Sequence, residues 1–157
     1  MGPKIIAVID AGPLIHLAEI GALKALEAFS LITPGGVVEE VRSFPGGIKV
    51  VDNYDKNLVS ALQNEFSLGL GESQCIALAK AEKIVIFLTD DLDARTTALS
   101  LGLEPHGTIG ILLKAFKLGL LGKKDAIEFV KRLKSSSSLY ITSELVGYIL
   151  QKIETEK

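Results

Sequence analysis

Two stretches of the chain are apolar without alternation, and both stop at aspartate. Residues 4–9 (KIIAVI) run into Asp10, and residues 84–89 (IVIFLT) run into Asp90, Asp91 and Asp93. Short continuous runs rich in β-branched residues are the pattern of strands covered on both faces, as in parallel sheets. Elsewhere apolar positions recur at helical spacing. Pro13 suits the first turn of a helix through LIHLAEI. Leu23, Leu26 and Phe29 predict a second short helix over 21–29. Val37, Val41 and Phe44 predict a third after Pro34. A strand is expected at 31–33, and shorter ones within 45–54 and at 104–106. Further helices are expected near 55–66, 72–82, 108–118, 123–134 and 142–155, with one ending at Leu101 and a turn at 135–138. Strands alternating with helices predict an α/β sandwich with a mostly parallel sheet.

Composition narrows the class. The chain has 157 residues, 48% of them apolar and 23% charged, which excludes a disordered or low-complexity chain and predicts a single domain over 1–157. No apolar run reaches the ~18 residues of a spanning helix, so no membrane association is expected. The start, MGPKIIAVID, lacks the long uncharged stretch of a secretory leader. Ile6 stands where a myristoylation motif after Gly2 needs Ser or Thr. A cytoplasmic protein is the expectation. One cysteine, Cys75, excludes a disulfide scaffold and a cysteine-based zinc site; its place in an apolar stripe predicts a buried thiol. Charge is uneven. Residues 1–104 carry eight Lys/Arg against fourteen Asp/Glu, and residues 105–157 carry nine against five. That is either ordinary solvated surface or an acidic site beside a basic surface that holds a polyanion.

The acids carry the chemistry. Ligands of open α/β sheets sit beyond the carboxyl ends of the strands. Parallel strands bring Asp10 and the Asp90/Asp91 pair to the same end, although an aspartate there can also be a turn residue or a helix N-cap. On a helix over 72–82, Glu72 falls within the stripe of Cys75, Ile76, Leu78 and Ala79, where a carboxylate is costly unless paired, protonated or bound to a cation. In the helix after Pro34, Glu40 falls at the edge of the apolar stripe and Glu39 points away. Four such carboxylates repel one another unless divalent cations intervene. Oxygen-only ligands suit Mg²⁺ or Mn²⁺. Two such ions ~4 Å apart activate water and stabilise the leaving oxygen in phosphodiester hydrolysis.

The segments IDAGPLIHL, PGGVVEEV, LGLGESQCIALA, FLTDDLDAR and GTIGILLKAFKLG resemble those of PIN-domain proteins, closest to a toxin-like (VapC-type) prokaryotic branch. The resemblance runs over nearly the whole chain. It implies a three-layer α/β/α sandwich with four or five strands in a mostly parallel sheet. It implies an Mg²⁺- or Mn²⁺-dependent endoribonuclease, the toxin of a toxin–antitoxin pair, with RNA as substrate, a small antitoxin as partner and a homodimer as assembly. Carried over by position, Asp10, Glu40, Glu72 and Asp91 are the metal-binding and catalytic acids. Asp90 is the rival of Asp91, and Asp93 is auxiliary. Many members have Ser, Thr or Asn two residues after the first aspartate; here that residue is Gly12. A catalytically weak module that binds RNA or a protein is therefore the alternative.

Arg95 is expected either to pair with Asp91 or another site carboxylate, or to touch substrate phosphate. His16 is expected to be a packed core residue, and His106 has no evident partner. Lys114, Lys117, Lys123 and Lys124, within a basic stretch reaching Lys134, are candidates for nucleic-acid contact or a solvated face. Few aromatics interleave with them, so no stacking platform for single strands is evident.

Overall fold

The computed structural model describes residues 3–156; Met1, Gly2 and Lys157, and with them the reading of the Gly2 start, lie outside the described residues. Five strands form one sheet: β1 (Ile5–Ile9), β2 (Phe29–Thr33), β3 (Lys49–Val50), β4 (Ile86–Leu88) and β5 (Glu104–His106). Their order is β3-β2-β1-β4-β5, and every pair is parallel. The helices are α1 (Ala11–Glu19), α2 (Gly35–Glu40), α3 (Lys56–Glu65), α4 (Leu70–Glu82), α5 (Leu92–Ser100), α6 (Thr108–Lys117), α7 (Lys123–Ser136) and α8 (Ser143–Thr155), with a 3₁₀ segment at Leu23–Ala28. Parallel strands need right-handed crossovers, so the helices cover both faces. On one face α4 lies against β1 and β4, with α3 and α5 beside it. On the other α1, the 3₁₀ segment and α6 pack together, α7 covers α6, and α8 covers α7. This is the three-layer α/β/α sandwich the residues lead one to expect. Among the described residues no helix is long and apolar enough to cross a membrane.

The chain starts in the middle of the sheet, winds outward through β2 and β3, then returns to add β4 and β5 on the other side. The winding direction therefore reverses between β1 and β4. At such a point the crossovers diverge and leave a crevice at the carboxyl ends of the strands. Ala7, Val8 and Ile9 of β1 and Phe87 and Leu88 of β4 are fully buried around it.

Several predicted boundaries move. The strand expected over 84–89 is regular only over Ile86–Leu88; Val85, whose carbonyl accepts from Glu104 N–H at 2.8 Å, is 56% exposed, and Thr89 N–H donates to the His106 carbonyl at 2.9 Å. Ile6 of β1 is likewise exposed, at 59%, while its neighbour Ile5 packs against the core. The helix after Pro34 ends at Glu40; Val41 is extended (φ −100°, ψ 118°), so Phe44 is not on it. The segment 21–29 is a 3₁₀ turn rather than an α-helix, and α7 runs through Ser136, into the expected turn.

Candidate functional site

Asp10 extends β1 by one residue: its N–H donates to the Leu88 carbonyl at 2.9 Å, as a further rung of the ladder. Its carboxylate then starts α1, with Oδ1 accepting from Ala11 N–H at 2.8 Å. Oδ2 accepts from the Thr89 hydroxyl at 2.8 Å. The same Thr89 oxygen accepts from Asp91 N–H at 3.2 Å, so one hydroxyl links the ends of the two central strands. Asp91 in turn caps α5, accepting from Ala94 N–H at 2.8 Å. Both aspartates are N-caps, the plain role sequence allows, yet both also line the crevice.

Glu72 enters from the first turn of α4, where its Oε1 accepts from Gly69 N–H at 3.1 Å. Glu40 comes from the last residue of α2 and leans over α4. A Cβ at Gly71 would stand 2.5 Å from Glu40 Oε1, so glycine leaves the Glu40 carboxylate room to lie there, and a larger residue would push it aside. Glu39 and Glu40 are both on the surface, but only Glu40 lines the cleft.

These four carboxylates feel one another. Asp10 is only 4% exposed, and its pKa is pushed up to about 6. Burial is the main cause, opposed by the Thr89 and Ala11 hydrogen bonds and reinforced by Glu40 and Asp91. Glu72 is pushed to about 8, by burial first and then by the facing carboxylates of Asp91 and Asp10. Burial also raises Glu40. Among the described residues none of the four forms an ion pair with a Lys, Arg or His. As they stand, no three His, Cys, Asp or Glu side chains among the described residues converge closely enough to enclose a metal ion. The donor set fits a hard divalent cation nonetheless. It is oxygen-only and uncompensated, and Mg²⁺ commonly takes one or two carboxylates and completes its shell with water.

Asp90 is different. Its Oδ2 is 2.6 Å from His16 Nδ1 and accepts from the Thr108 hydroxyl at 2.5 Å. Its Oδ1 accepts from Thr108 N–H at 2.7 Å, in the first turn of α6. A Cβ at Gly107 would stand 2.7 Å from that same Oδ1. Burial alone would raise the Asp90 pKa, but the His16 and Thr108 hydrogen bonds outweigh it and hold the carboxyl below its usual range. Both oxygens are committed to a knot that ties β4 to α1 and α6. His16 is accordingly not a bystander in the core but the partner of Asp90. His106 also has a partner, Glu104 Oε2 at 2.8 Å on the surface.

The remaining candidates divide. Asp93 is exposed in the first turn of α5 and lines the cleft. Arg95 lines it too, and among the described residues it forms neither the Asp91 ion pair nor any other. Cys75 is buried with Sγ 3.6 Å from the Ile9 carbonyl, and burial raises its thiol well above the usual range. Lys114, Lys117, Lys123 and Lys124 do not border the cleft. Helix α6 begins at the Asp90 knot and carries Lys114 and Lys117 away, about 9 and 13 Å along its axis at the standard rise. Lys123 is spent on the Glu154 carbonyl at the end of α8 (3.0 Å).

The cleft measures ≈ 890 Å³. Its lining is acidic in part. Leu139, Tyr140, Ile141 and Leu145, from the α7–α8 loop and the start of α8, form an apolar part of the same lining. Nothing in local sequence signals that part, because a serine run followed by LYI reads as an ordinary turn. The stretches GTIGILL and LVGYIL supply core, with Ile111, Leu112, Val146 and Ile149 buried, while Leu145 and Tyr148 stay exposed.

A family described as PIN domain matches residues 6–155. That match does not reach down to the toxin-like branch. Neither the curated proteins nor the solved structures contain a significant match to the chain.

Proposed function

The chain belongs to the PIN-domain family, a nuclease-type fold, and on that premise we propose that its cleft hydrolyses RNA phosphodiester bonds with Mg²⁺ or Mn²⁺ held by Asp10, Glu40, Glu72 and Asp91. The observation that carries the reading is the unpaired carboxylate quartet at the point where the winding of the sheet reverses. Four mutually repelling acids without a cation are a standing cost to the fold, and a bound cation removes it. Once bound, a divalent ion supplies Lewis acidity toward a phosphoryl oxygen and makes water a better nucleophile.

The protein's own groups do the rest. Asp10, held by Ala11 N–H and the Thr89 hydroxyl, is a fixed acceptor at the floor of the cleft. Glu72, whose carboxyl is raised by burial and by the facing Asp91 and Asp10 in the metal-free protein, would give up its proton as a cation binds and so become a ligand. Arg95, free of ion pairs among the described residues, is suited to a bidentate hold on a phosphate oxygen pair. In the reaction the water oxygen bonds to phosphorus, the bond from phosphorus to the leaving ribose oxygen breaks, and that oxygen departs with a proton. A toxin role with a small antitoxin partner, and a homodimeric assembly, extend the same proposal.

Incubation with a mixed pool of short and structured RNAs, in Mg²⁺ and in Mn²⁺ separately, tests it. Cleavage is expected; chelator should abolish it, and Asp91→Asn should lower it on the order of a hundredfold. Cleavage that survives both overturns the reading. Gly12 favours a second reading, a weakly catalytic module: it offers the site no hydroxyl, although a Cβ there would meet nothing nearer than Asp90 Cβ at 3.5 Å. Tight RNA binding without cleavage in either metal supports that alternative. For the toxin role, expression of the wild type should arrest growth and expression of Asp91→Asn should not.

A further inference from the structure

The apolar part of the cleft lining is unexplained by carboxylate chemistry. Tyr140 is 87% exposed, Leu145 is exposed as well, and Leu139 is half-buried. The loop that carries them is tied down on both sides of the bare ring. Glu19 Oε1 accepts from Ser138 N–H and from the Ser138 hydroxyl, each at 2.9 Å. The Ser137 hydroxyl donates to the Leu133 carbonyl at 2.6 Å and accepts from Leu139 N–H at 3.2 Å. Lys134 Nζ donates to the Ile141 carbonyl at 2.9 Å, and Thr142 caps α8. The backbone is thus ordered before any ligand arrives, so little loop entropy remains to be lost on binding.

We infer that Tyr140, flanked by Leu139 and Leu145, is a stacking subsite for an unpaired nucleobase of the RNA that enters the cleft; this rests on the nuclease reading above and names the residue that holds the base. Of the parts of a nucleotide, only the base has a flat apolar face to set against a tyrosine ring. In a duplex that face is inside the stack; in an unpaired segment it is open. Charge points the same way. The cleft is lined by six carboxylates, those of Asp10, Glu40, Glu72, Asp90, Asp91 and Asp93, with Arg95 as its guanidinium, and the basic lysines lie elsewhere. Phosphate neutralisation by side chains, the usual source of affinity, is weak here. Contact with the base supplies what the acids deny.

The test separates binding from chemistry by using the Asp91→Asn protein in Mg²⁺. Affinity is measured by fluorescence anisotropy for a short labelled oligoadenylate, the same strand with abasic positions, and a duplex of the same length. The chain has no tryptophan and three tyrosines, so quenching of tyrosine emission reports stacking directly. Adding Tyr140→Ala is expected to weaken single-strand binding about tenfold, to the level at which Asp91→Asn alone holds the abasic strand. Tyr140→Phe should stay within about twofold, which also shows that the loop folds. Equal affinity with Tyr140→Ala, or a duplex held as tightly as the single strand, overturns the inference. So does a change of oligomeric state in Tyr140→Ala with unaltered RNA affinity, which assigns the ring to a protein interface. Base-dependent binding through Tyr140 in a wild-type protein that never cleaves keeps this subsite and discards the nuclease reading. Cleavage indifferent to Tyr140 does the reverse.

Discussion

Asp90 and Asp91 are neighbours with the same side chain, and the fold gives them opposite situations. Asp90 has both oxygens filled, by His16 on α1 and by the backbone and hydroxyl of Thr108 on α6. The Asp91 carboxylate accepts from Ala94 N–H, on the helix it starts, and turns toward the acids Glu72 and Asp10. One carboxylate is surrounded by donors, the other by acids. The first has its charge satisfied and holds the sheet to the helices. The second shares a field of uncompensated negative charge. A carboxylate whose lone pairs are committed has little left for a cation, so adjacency in sequence does not make two acids equivalent ligands.

The largest expected effect falls on Asp91. Asp91→Asn should lower metal-dependent RNA cleavage by on the order of a hundredfold, about 2.7 kcal/mol of transition-state stabilisation. Its Tm should change by less than about 2 °C, because asparagine caps a helix as well as aspartate does. Asp90→Asn should show the converse pattern. Losing the charge opposite His16 is expected to cost about 2 kcal/mol, a fall in Tm of roughly 4–8 °C for a chain of this size. Activity in the surviving folded protein should change less than for Asp91→Asn. Thermal unfolding and single-turnover cleavage on the same samples decide; equal activity losses in the two variants would erase the distinction.

Titration of the metal-free protein sharpens the contrast. Asp10 at about 6 and Glu72 at about 8 lie above their unfolded values, so the folded state holds more protons than the unfolded between about pH 4 and 8. Their contribution to stability is full below that window and is lost as pH rises through it. Asp90, lowered in the fold, contributes stability above its unfolded pKa that is lost as pH falls below about 4. Tm in chelator should therefore drop by a few degrees from pH 5 to pH 8, and Mg²⁺ or Mn²⁺ should restore it at pH 8. A flat profile with no recovery on adding metal would mean that the quartet is not electrostatically coupled. The smallest effect is expected at Gly71. Gly71→Ala puts a methyl where Glu40 Oε1 lies, and should reduce cleavage several-fold with circular dichroism unchanged. Unaltered cleavage would show that Glu40 reaches its place without the room Gly71 leaves, and loss of cleavage in Glu40→Gln then decides whether Glu40 belongs to the site.

Much of this was readable along the chain. Strand-end aspartates are local features, and continuous apolar runs locate the two central strands without any tertiary knowledge. Glu72 stands out because helical periodicity puts it among Cys75, Ile76, Leu78 and Ala79. The match over residues 6–155 agrees with the resemblance seen in five segments. The failures share a cause. His16 looks like a core residue because its chain neighbours are apolar, but its partner Asp90 lies 74 positions away. The helix after Pro34 reads as continuing to Phe44, yet Val41 is extended and the chain leaves toward β3. The lysines of α6 are conspicuous as composition, and only the direction of the helix shows that they travel away from the acids.

By itself the sequence determined which segments are strands and helices, which end of the sheet carries acid, and which acids stand at the edge of a hydrophobic stripe. These depend on continuous apolar runs, on the period of 3.6 residues and on short-range caps, all of which are written in neighbouring letters. Tertiary structure alone decided which carboxylate has its lone pairs filled, which glycine makes room for Glu40, and which loop brings Tyr140 to the cleft that holds the acids. Those outcomes turn on donors and surfaces from distant segments meeting at one place, and a hydrogen bond is satisfied by geometry rather than by composition.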